Sequence, residues 1–187
     1  MQKDKWWLPF ITVGLIVLSI GAVVYYNQPR QSEKSVSSSS SIKSAMGMIG
    51  VDFPNFTVID QEGMEKKSSE FYDKPMLVIE WASWCPHCHE QLPIVQKLYE
   101  KYGDKVHFVM LDLSDDKKEP KEKADSYIKK NGFTFPYYYD KGQIAADALQ
   151  VESIPSIYIV DKSHKIKNVF VEEQDEKILE KEIEAII

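Results

Sequence analysis

The chain has 187 residues, of which 43% are hydrophobic and 28% are charged, and its net charge is −6. This composition is typical of a globular protein with one buried core. The acidic balance excludes the basic surface that nucleic-acid binding needs, so no nucleic-acid partner is expected.

The N-terminal part of the chain predicts a membrane anchor. Residues 6–26 (WWLPFITVGLIVLSIGAVVYY) carry no charge and follow a short basic flank, residues 1–5. A helix of this length spans about 31 Å, close to the roughly 30 Å hydrocarbon core of a bilayer. A cleaved signal peptide is the alternative, because residues 19–21 form a weak small-x-small cleavage site. The apolar run continues past that site, which favours a retained single-pass transmembrane helix.

A linker follows the predicted anchor. Residues 27–45 are rich in serine and contain no aromatic side chain. Such a segment cannot bury enough apolar surface to fold, so a flexible tether is expected. The tether would join the anchor to a folded domain at residues 46–187.

Strand and helix patterns alternate along this domain. Continuous apolar runs predict buried strands, and apolar residues at helical spacing predict amphipathic helices. The predicted strands cover residues 56–59 (with a hairpin turn at 61–63), 76–79, 106–111, 157–160 and 166–171. The predicted helices follow Cys85, cover residues 120–130 and 144–149, and end the chain with Ile178, Leu179, Ile183 and Ile186 on one face. This order predicts an α/β fold whose mixed parallel and antiparallel central sheet is flanked by helices.

Both cysteines of the chain lie in the segment WASWCPHCHEQLP, residues 81–93. Cys85 follows the apolar strand and precedes a helix, which is where sites form in α/β sheets. A helix N-terminus stabilises a thiolate, so a cysteine at such a position has a lowered pKa and reacts near neutral pH. The string Cys85-x-x-Cys88-His89 fits a redox dithiol, a haem attachment site or half of a zinc site.

The surrounding pattern favours the redox dithiol. A zinc site needs four ligands, but His107 falls in a strand and His164 in a distant turn. A purely structural disulfide does not explain why both cysteines stand at a helix start. A peroxidase of the peroxiredoxin type would need a threonine where Ala82 stands. Covalent haem, held by the two cysteines with His89 as axial ligand, is the alternative of another class, although the α/β pattern does not predict a fold that encloses a porphyrin.

Two motifs resemble those of the thioredoxin superfamily. The W-C-x-x-C motif at 84–88 follows an apolar strand, and the segment 151–160 (VESIPSIYIV) resembles the one whose proline is cis and faces the dithiol. The segment 50–58 (GVDFPNFTV), the Phe-Pro pair at 135–136 and the anchor are similar to the TlpA/ResA-like branch of membrane-anchored thiol-disulfide oxidoreductases. The resemblance covers about residues 48–187. It implies a thioredoxin-like fold, a redox-active disulfide with no metal or other cofactor, and protein thiols or disulfides as substrates.

The dithiol interpretation gives each residue of the motif a role. Cys85, at the helix start, would be the exposed nucleophile that forms a mixed disulfide with a partner. Cys88, one turn further, would be the more buried resolving thiol. Pro86 would restrict the turn between them. Trp84 would shield the site, although packing in the core is the other explanation for a tryptophan at this position.

Residues outside the motif complete the predicted site. Ile154 and Pro155 resemble the family's substrate cradle, where the backbone before a cis-proline pairs with an incoming peptide. Glu80 interrupts an otherwise apolar strand. If it is buried, it could relay protons to Cys88 with a raised pKa, and the alternative is pairing with a nearby lysine. The ResA-like pattern places an acid where this chain has Gln91.

The residues between the cysteines, Pro86-His87, resemble those of the strongly oxidising DsbA proteins. A histidine here can attract the Cys85 thiolate, which stabilises the reduced form and makes the disulfide a stronger oxidant. We therefore predict disulfide formation in protein substrates, with disulfide reduction, for example for apocytochrome c, as the alternative.

The chain has no other cysteine, so the dithiol would serve other molecules. Disulfides are made and repaired in oxidising compartments. A bacterial cell membrane is therefore the predicted location, with a single span and the catalytic domain outside the cytoplasm. A membrane redox partner would recycle the dithiol.

Overall fold

The computed structural model describes residues 45–115 and 117–187. The predicted flank at 1–5, the predicted anchor at 6–26 and all but the last residue of the predicted linker lie outside these residues. Ala45, that last residue, is buried in the core, so the folded domain already includes it. Within the described ranges, no helix is both long enough and apolar enough to cross a membrane.

Seven strands of the described region form one sheet in the order β2-β1-β5-β4-β3-β6-β7. The strands are β1 Thr57–Ile59, β2 Glu65–Lys67, β3 Met76–Trp81, β4 His107–Asp112, β5 Tyr137–Tyr139, β6 Ser156–Val160 and β7 Ile166–Phe170. The central strands β3, β4 and β5 are parallel, whereas β6 pairs antiparallel with β3, and β7 with β6. The predicted mixed sheet is therefore confirmed.

Helices cover both faces of the sheet. In the described part of the chain they are α1 Pro86–Tyr102, α2 Lys121–Asn131, α3 Ile144–Ala148 and α4 Glu176–Glu184. On one face, Ile79 of β3 belongs to a core with Leu92 of α1 and Leu179 of α4. On the other face, Val78 belongs to a core with Ala145 of α3. Because both faces of β3 are covered, its sequence is a continuous apolar run rather than an alternating one.

The predicted elements agree with the observed ones to within two residues, with one exception. The predicted hairpin is β1 paired antiparallel with β2, and Asp60 closes its turn by accepting the Met64 N–H at 2.7 Å. Strand β2, at one edge of the sheet, consists only of charged residues, residues 65–67. Strand β5 was missed, because three tyrosines are too few to establish a period and the strand is defined by its pairing with β1 and β4.

The topology brings two distant segments together at the carboxyl ends of the central strands. Strands β3 and β4 are parallel and end on this side of the sheet, and α1 begins just after β3. Strand β6 runs the opposite way and starts there, with Ser156 opposite Glu80. Cys85 and Ile154, which are 69 residues apart, are therefore neighbours in space.

Candidate active site

Cys85 caps the N-terminus of α1. Its backbone is extended, with φ −87° and ψ 115°, and its Sγ atom accepts a hydrogen bond from the Cys88 backbone N–H at 3.2 Å. Pro86 occupies the first helical position, where the absence of an N–H has no cost. The first turn therefore directs N–H groups and the positive end of the helix dipole toward the Cys85 sulfur. This arrangement favours a thiolate at Cys85.

Cys85 and Cys88 form a disulfide, with Cα atoms 5.2 Å apart. Cys88 is fully buried, and only 3% of Cys85 is exposed. The prediction that Cys85 is exposed was therefore wrong, because both cysteines are buried in the oxidised protein. The cover comes in part from the segment before β6, because the carbonyl oxygen of Ile154 lies 3.5 Å from Cys85 Sγ.

A groove gives access to the site beside Ile154. The Ile154–Pro155 peptide bond is cis, as the resemblance implied, and Pro155 is buried whereas Ile154 is half-buried. The groove has a volume of about 390 Å³. It is lined by Trp84, Cys85, Pro86, His87, Leu113, Gln143, Ala146, Val151, Glu152, Ser153 and Ile154. Since most of this lining is apolar, the groove can hold a polypeptide segment next to the Cys85 sulfur.

Trp84 lies at the margin of this groove and is 40% exposed. This exposure excludes core packing as the reason for a tryptophan here. The Lys118 Nζ atom lies 3.2 Å from the centroid of the indole ring, a cation–π contact that joins the loop between β4 and α2 to the ring. The ring stands where it can shield the site, and that role stays a prediction.

Ser83, two residues before Cys85, is held by side chains from two other elements. Glu119, in the loop between β4 and α2, accepts hydrogen bonds from the Ser83 backbone N–H at 2.7 Å and from its hydroxyl at 2.8 Å. The Nε2 atom of His89 donates to the Ser83 carbonyl oxygen at 2.6 Å. Every polar group of Ser83 is therefore satisfied, which fixes the turn that leads into Cys85. Glu119 could not be identified from the sequence, because an acid in a lysine-rich loop gives no local signal.

The haem and zinc alternatives both need histidine ligands, but the histidines considered for them contact other residues. His89 donates to Ser83 and stacks on Tyr127, with ring centroids 4.8 Å apart. His107 lies 2.6 Å from a carboxylate oxygen of Asp73, and His164 stacks on a tyrosine. Across residues 45–115 and 117–187, no group of three or more His, Cys, Asp or Glu side chains could hold a metal ion.

His87 has a partner that the sequence did not indicate. Its Nδ1 atom lies 3.1 Å and 3.0 Å from the two carboxylate oxygens of Glu173, in the loop between β7 and α4. His87 also lines the groove that contains Cys85. The partner is 86 residues away in the chain, so no local pattern could have revealed it.

Gln91 stands where the ResA-like pattern has an acid. It is fully buried, and its Oε1 atom accepts a hydrogen bond from the Gln174 backbone N–H at 2.6 Å. The amide therefore fastens the loop that carries Glu173 to helix α1.

Glu80 is fully buried, and neither of its carboxyl oxygens has a hydrogen-bond partner in the described part of the chain. Burial, followed by the charges of Asp140 and Asp112, raises the pKa of Glu80 well above its usual range. Pairing with a lysine, one of the two interpretations of this residue, is therefore wrong.

The position of Glu80 does not support a direct proton relay to Cys88. Successive side chains of a strand alternate between the two faces of the sheet. Ile79 belongs to the core that contains Cys88, whereas Val78 belongs to the core on the other face. Glu80 therefore lies on the face opposite Cys88, and its tuning role stays a prediction.

Two further buried acids lie at the ends of β4 and β5. Burial, with the nearby charge of Glu119, raises the pKa of Asp112 to about 9. Burial also raises the pKa of Asp140, although Asp140 accepts hydrogen bonds from the N–H groups of Ala145 and Ala146 at 2.8 Å and 2.9 Å. Neither residue could be identified from the sequence, because an acid after a strand is common in ordinary turns.

Comparison with known proteins identifies the family. The family model named Redoxin matches residues 48–187. The chain belongs to the Redoxin family. It is 30% identical over 183 residues to the thiol-disulfide oxidoreductase ResA of Bacillus thuringiensis (strain Al Hakam), covering 96% of this chain and 95% of that protein. It is also 30% identical over 138 residues to the thioredoxin-like protein YneN of Bacillus subtilis (strain 168), covering 72% of this chain and 78% of that protein.

The fold is similar to that of StoA from Bacillus subtilis, with a TM-score of 0.60 and 21% identity over 70% of this chain and 96% of StoA. The chain is thus a TlpA/ResA-like member of the thioredoxin superfamily with a thioredoxin-like α/β fold. It is an enzyme, a thiol-disulfide oxidoreductase, with Cys85 and Cys88 as its C-x-x-C pair. None of these comparisons supports the haem alternative.

Proposed function

We propose that this oxidoreductase forms disulfides in protein substrates outside the cytoplasm. One observation carries the proposal. The Cys85 sulfur sits at the N-terminus of α1, accepts the Cys88 N–H and borders a mostly apolar groove beside Ile154. A sulfur in this position is activated by the helix and can be approached by a polypeptide, whereas Cys88 is fully buried.

The reaction transfers two electrons from two substrate thiols to the protein disulfide. A substrate thiolate attacks Cys85 Sγ from the groove, the bond between Cys85 and Cys88 breaks, and the Cys88 sulfur leaves and takes up a proton. A second substrate thiolate then attacks the substrate sulfur of the mixed disulfide. This step forms the substrate's disulfide and releases Cys85 as a thiolate, which the N-terminus of α1 stabilises.

The groove favours a polypeptide substrate over a small thiol. Ile154 lines it together with the apolar side chains of Trp84, Leu113 and Val151. An extended peptide that pairs with the backbone before the cis-proline would gain hydrogen bonds and place its cysteine at Cys85.

The oxidising direction rests on the charges at the start of α1. The helix dipole favours the Cys85 thiolate, and the His87 imidazole adds to this to the extent that the nearby Glu173 carboxylate does not offset its charge. A stabilised reduced form makes the disulfide a stronger oxidant. Potentials of related dithiols run from about −270 mV for thioredoxin to about −120 mV for DsbA. We expect a value in the upper half of that range, and we expect His87→Glu to lower it.

Equilibration of the purified protein with glutathione buffers measures this potential. A second assay follows the oxidation of a reduced secreted protein by the oxidised enzyme in the absence of any other oxidant. We expect stoichiometric transfer of one disulfide per enzyme. A potential near or below that of thioredoxin would contradict the oxidising direction and favour the reductase alternative, for example toward apocytochrome c thiols.

The extracytoplasmic location rests on the sequence. The predicted anchor at 6–26 and the serine-rich linker would hold the domain at a bacterial cell membrane. Each substrate disulfide leaves Cys85 and Cys88 reduced, and the chain has no third cysteine with which to reoxidise them. A membrane redox partner is therefore part of the proposal.

A further inference from the structure

The ionisable residue between the two cysteines, His87, is in contact with a carboxylate. Both carboxylate oxygens of Glu173 lie within 3.1 Å of the Nδ1 atom of His87. The loop that presents Glu173 is itself fastened to α1, because Gln91 accepts the Gln174 N–H at 2.6 Å. Within the described residues, Glu173 makes no ion pair other than the one with His87.

A histidine that is paired with a carboxylate affects a nearby thiolate differently from an unpaired histidine. A lone imidazolium at His87 would attract the Cys85 thiolate, but the carboxylate of Glu173 adds a negative charge that repels it. With a protonated imidazole the pair carries no net charge, so it should attract the thiolate less than a lone imidazolium would. Other acids near His87 do not contact it: Glu152 lines the same groove, and Glu172 and Asp175 lie in the Glu173 loop.

We infer that Glu173 is a positioning residue that limits the oxidising power of the Cys85–Cys88 disulfide by holding the His87 imidazole and offsetting its charge. The C-P-H-C motif of this chain therefore gives a weaker oxidant than the motif alone would. The inference rests on the proposed thiol-disulfide exchange at Cys85, but it does not depend on which direction prevails in the cell.

The test measures the equilibrium constant between the protein dithiol and glutathione for the full chain and for Glu173→Gln. Glutamine keeps an oxygen that can accept from Nδ1, so the variant removes the charge and leaves the contact. The matched control is Glu172→Gln, which removes an exposed carboxylate from the same loop without touching His87. All variants are measured at one pH and one ionic strength, so that they differ only in the substituted side chain.

We expect Glu173→Gln to shift the equilibrium toward the reduced protein by about two- to fivefold, the range typical of an exposed ion pair. The pKa of the Cys85 thiol should fall in parallel, which a role limited to loop stability would not produce. In a His87→Ala background the effect of Glu173→Gln should disappear. At about 1 M salt the wild type and Glu173→Gln should converge, because screening weakens both charges.

Three results would overturn the inference. One is an unchanged equilibrium in Glu173→Gln, and another is a shift toward a weaker oxidant, which would mean that Glu173 mainly keeps His87 charged. The third is a shift of the same size in the His87→Ala background, or in Glu172→Gln, because the effect would then not act through His87. A wild-type protein that does not exchange with glutathione at all would instead contradict the proposed function.

Discussion

The carbonyl oxygen of Ile154 lies 3.5 Å from the Sγ atom of Cys85. This contact places a backbone acceptor directly beside the sulfur that a substrate must reach. It also leaves Cys85 only 3% exposed, while Cys88 has no exposed surface. Cys85 lines the groove and Cys88 does not, so a partner that occupies the groove meets the Cys85 sulfur.

Single cysteine variants should reveal this difference. We expect Cys88→Ala to accumulate mixed disulfides through Cys85, whose thiolate attacks a disulfide of an oxidised substrate or of the recycling partner, because the Cys88 thiol that would resolve them is gone. We expect Cys85→Ala to trap almost nothing, since Cys88 is buried. Non-reducing electrophoresis after acid quenching of cells measures both. Equal trapping by the two variants would contradict the assignment of Cys85 as the sulfur that exchanges with partners.

The anchor can be tested by fractionation. If residues 6–26 are a retained span, the intact protein will sediment with membranes, and its domain will be accessible to added protease in spheroplasts. The control is a cytoplasmic protein, which should resist the protease until the cells are lysed. Mature chains that begin near residue 22 and are found in the soluble fraction would support the cleaved signal peptide instead.

Asp112 should make stability depend on pH. Its pKa is about 9 in the folded protein, against 3.8 for an ordinary aspartate, so between these values the folded state holds a proton that the unfolded state releases. Stability should therefore fall as pH rises, with a limit of about 1.4 kcal/mol per pH unit for one proton. Asp112→Asn should reduce this slope. Part of the slope should remain, because the pKa of Glu80 is also raised.

Urea unfolding of the oxidised protein between about pH 5 and pH 9 measures the slope. Asp104→Asn is the control, because Asp104 is exposed in the turn between α1 and β4 and an uncharged side chain there should leave the slope unchanged. The same slope in wild type and Asp112→Asn would mean that Asp112 is not protonated in the folded state.

Glu119 should stabilise the turn before the dithiol. Glu119→Ala leaves the Ser83 N–H and hydroxyl without their acceptor, and a lost partner in a buried site costs about 1–3 kcal/mol of the free energy of unfolding. Glu119→Gln keeps one acceptor and should cost less. Glu122→Ala, an exposed acid nearby in α2, is the control and should change stability by about 0.5 kcal/mol or less. The prediction fails if Glu119→Ala is no more damaging than this control.

The fold could be predicted where its signals are local. The apolar run that became β3 and the spacing of Leu92, Val95 and Leu98 in α1 are each visible within a short window. Strand β5 had no such signal, because its pairing partners are β1 and β4, both distant in the chain. The same reasoning explains why the order of strands in the sheet required the structure.

The residues of the site, like the elements of the fold, could be predicted only where their signals are local. Cys85, Cys88 and Pro155 belong to short motifs and could be found from the sequence. Glu173 and Glu119 could not, because each acts through a contact with a residue 86 or 36 positions away. The low exposure of Cys85 was missed for a similar reason, since the Ile154 carbonyl that covers it comes from another part of the chain.

The all-charged strand β2 affects whether copies of this protein can pair through the edges of their sheets. An edge strand offers unpaired backbone groups to any other strand, and charged side chains, lysine above all, discourage such pairing. If two copies joined their sheets by antiparallel pairing of β2 centred on Lys66, the two Lys66 side chains would lie directly opposite each other. Copies held at high local concentration therefore gain little from fusing their sheets at this edge, which lowers the tendency toward aggregation.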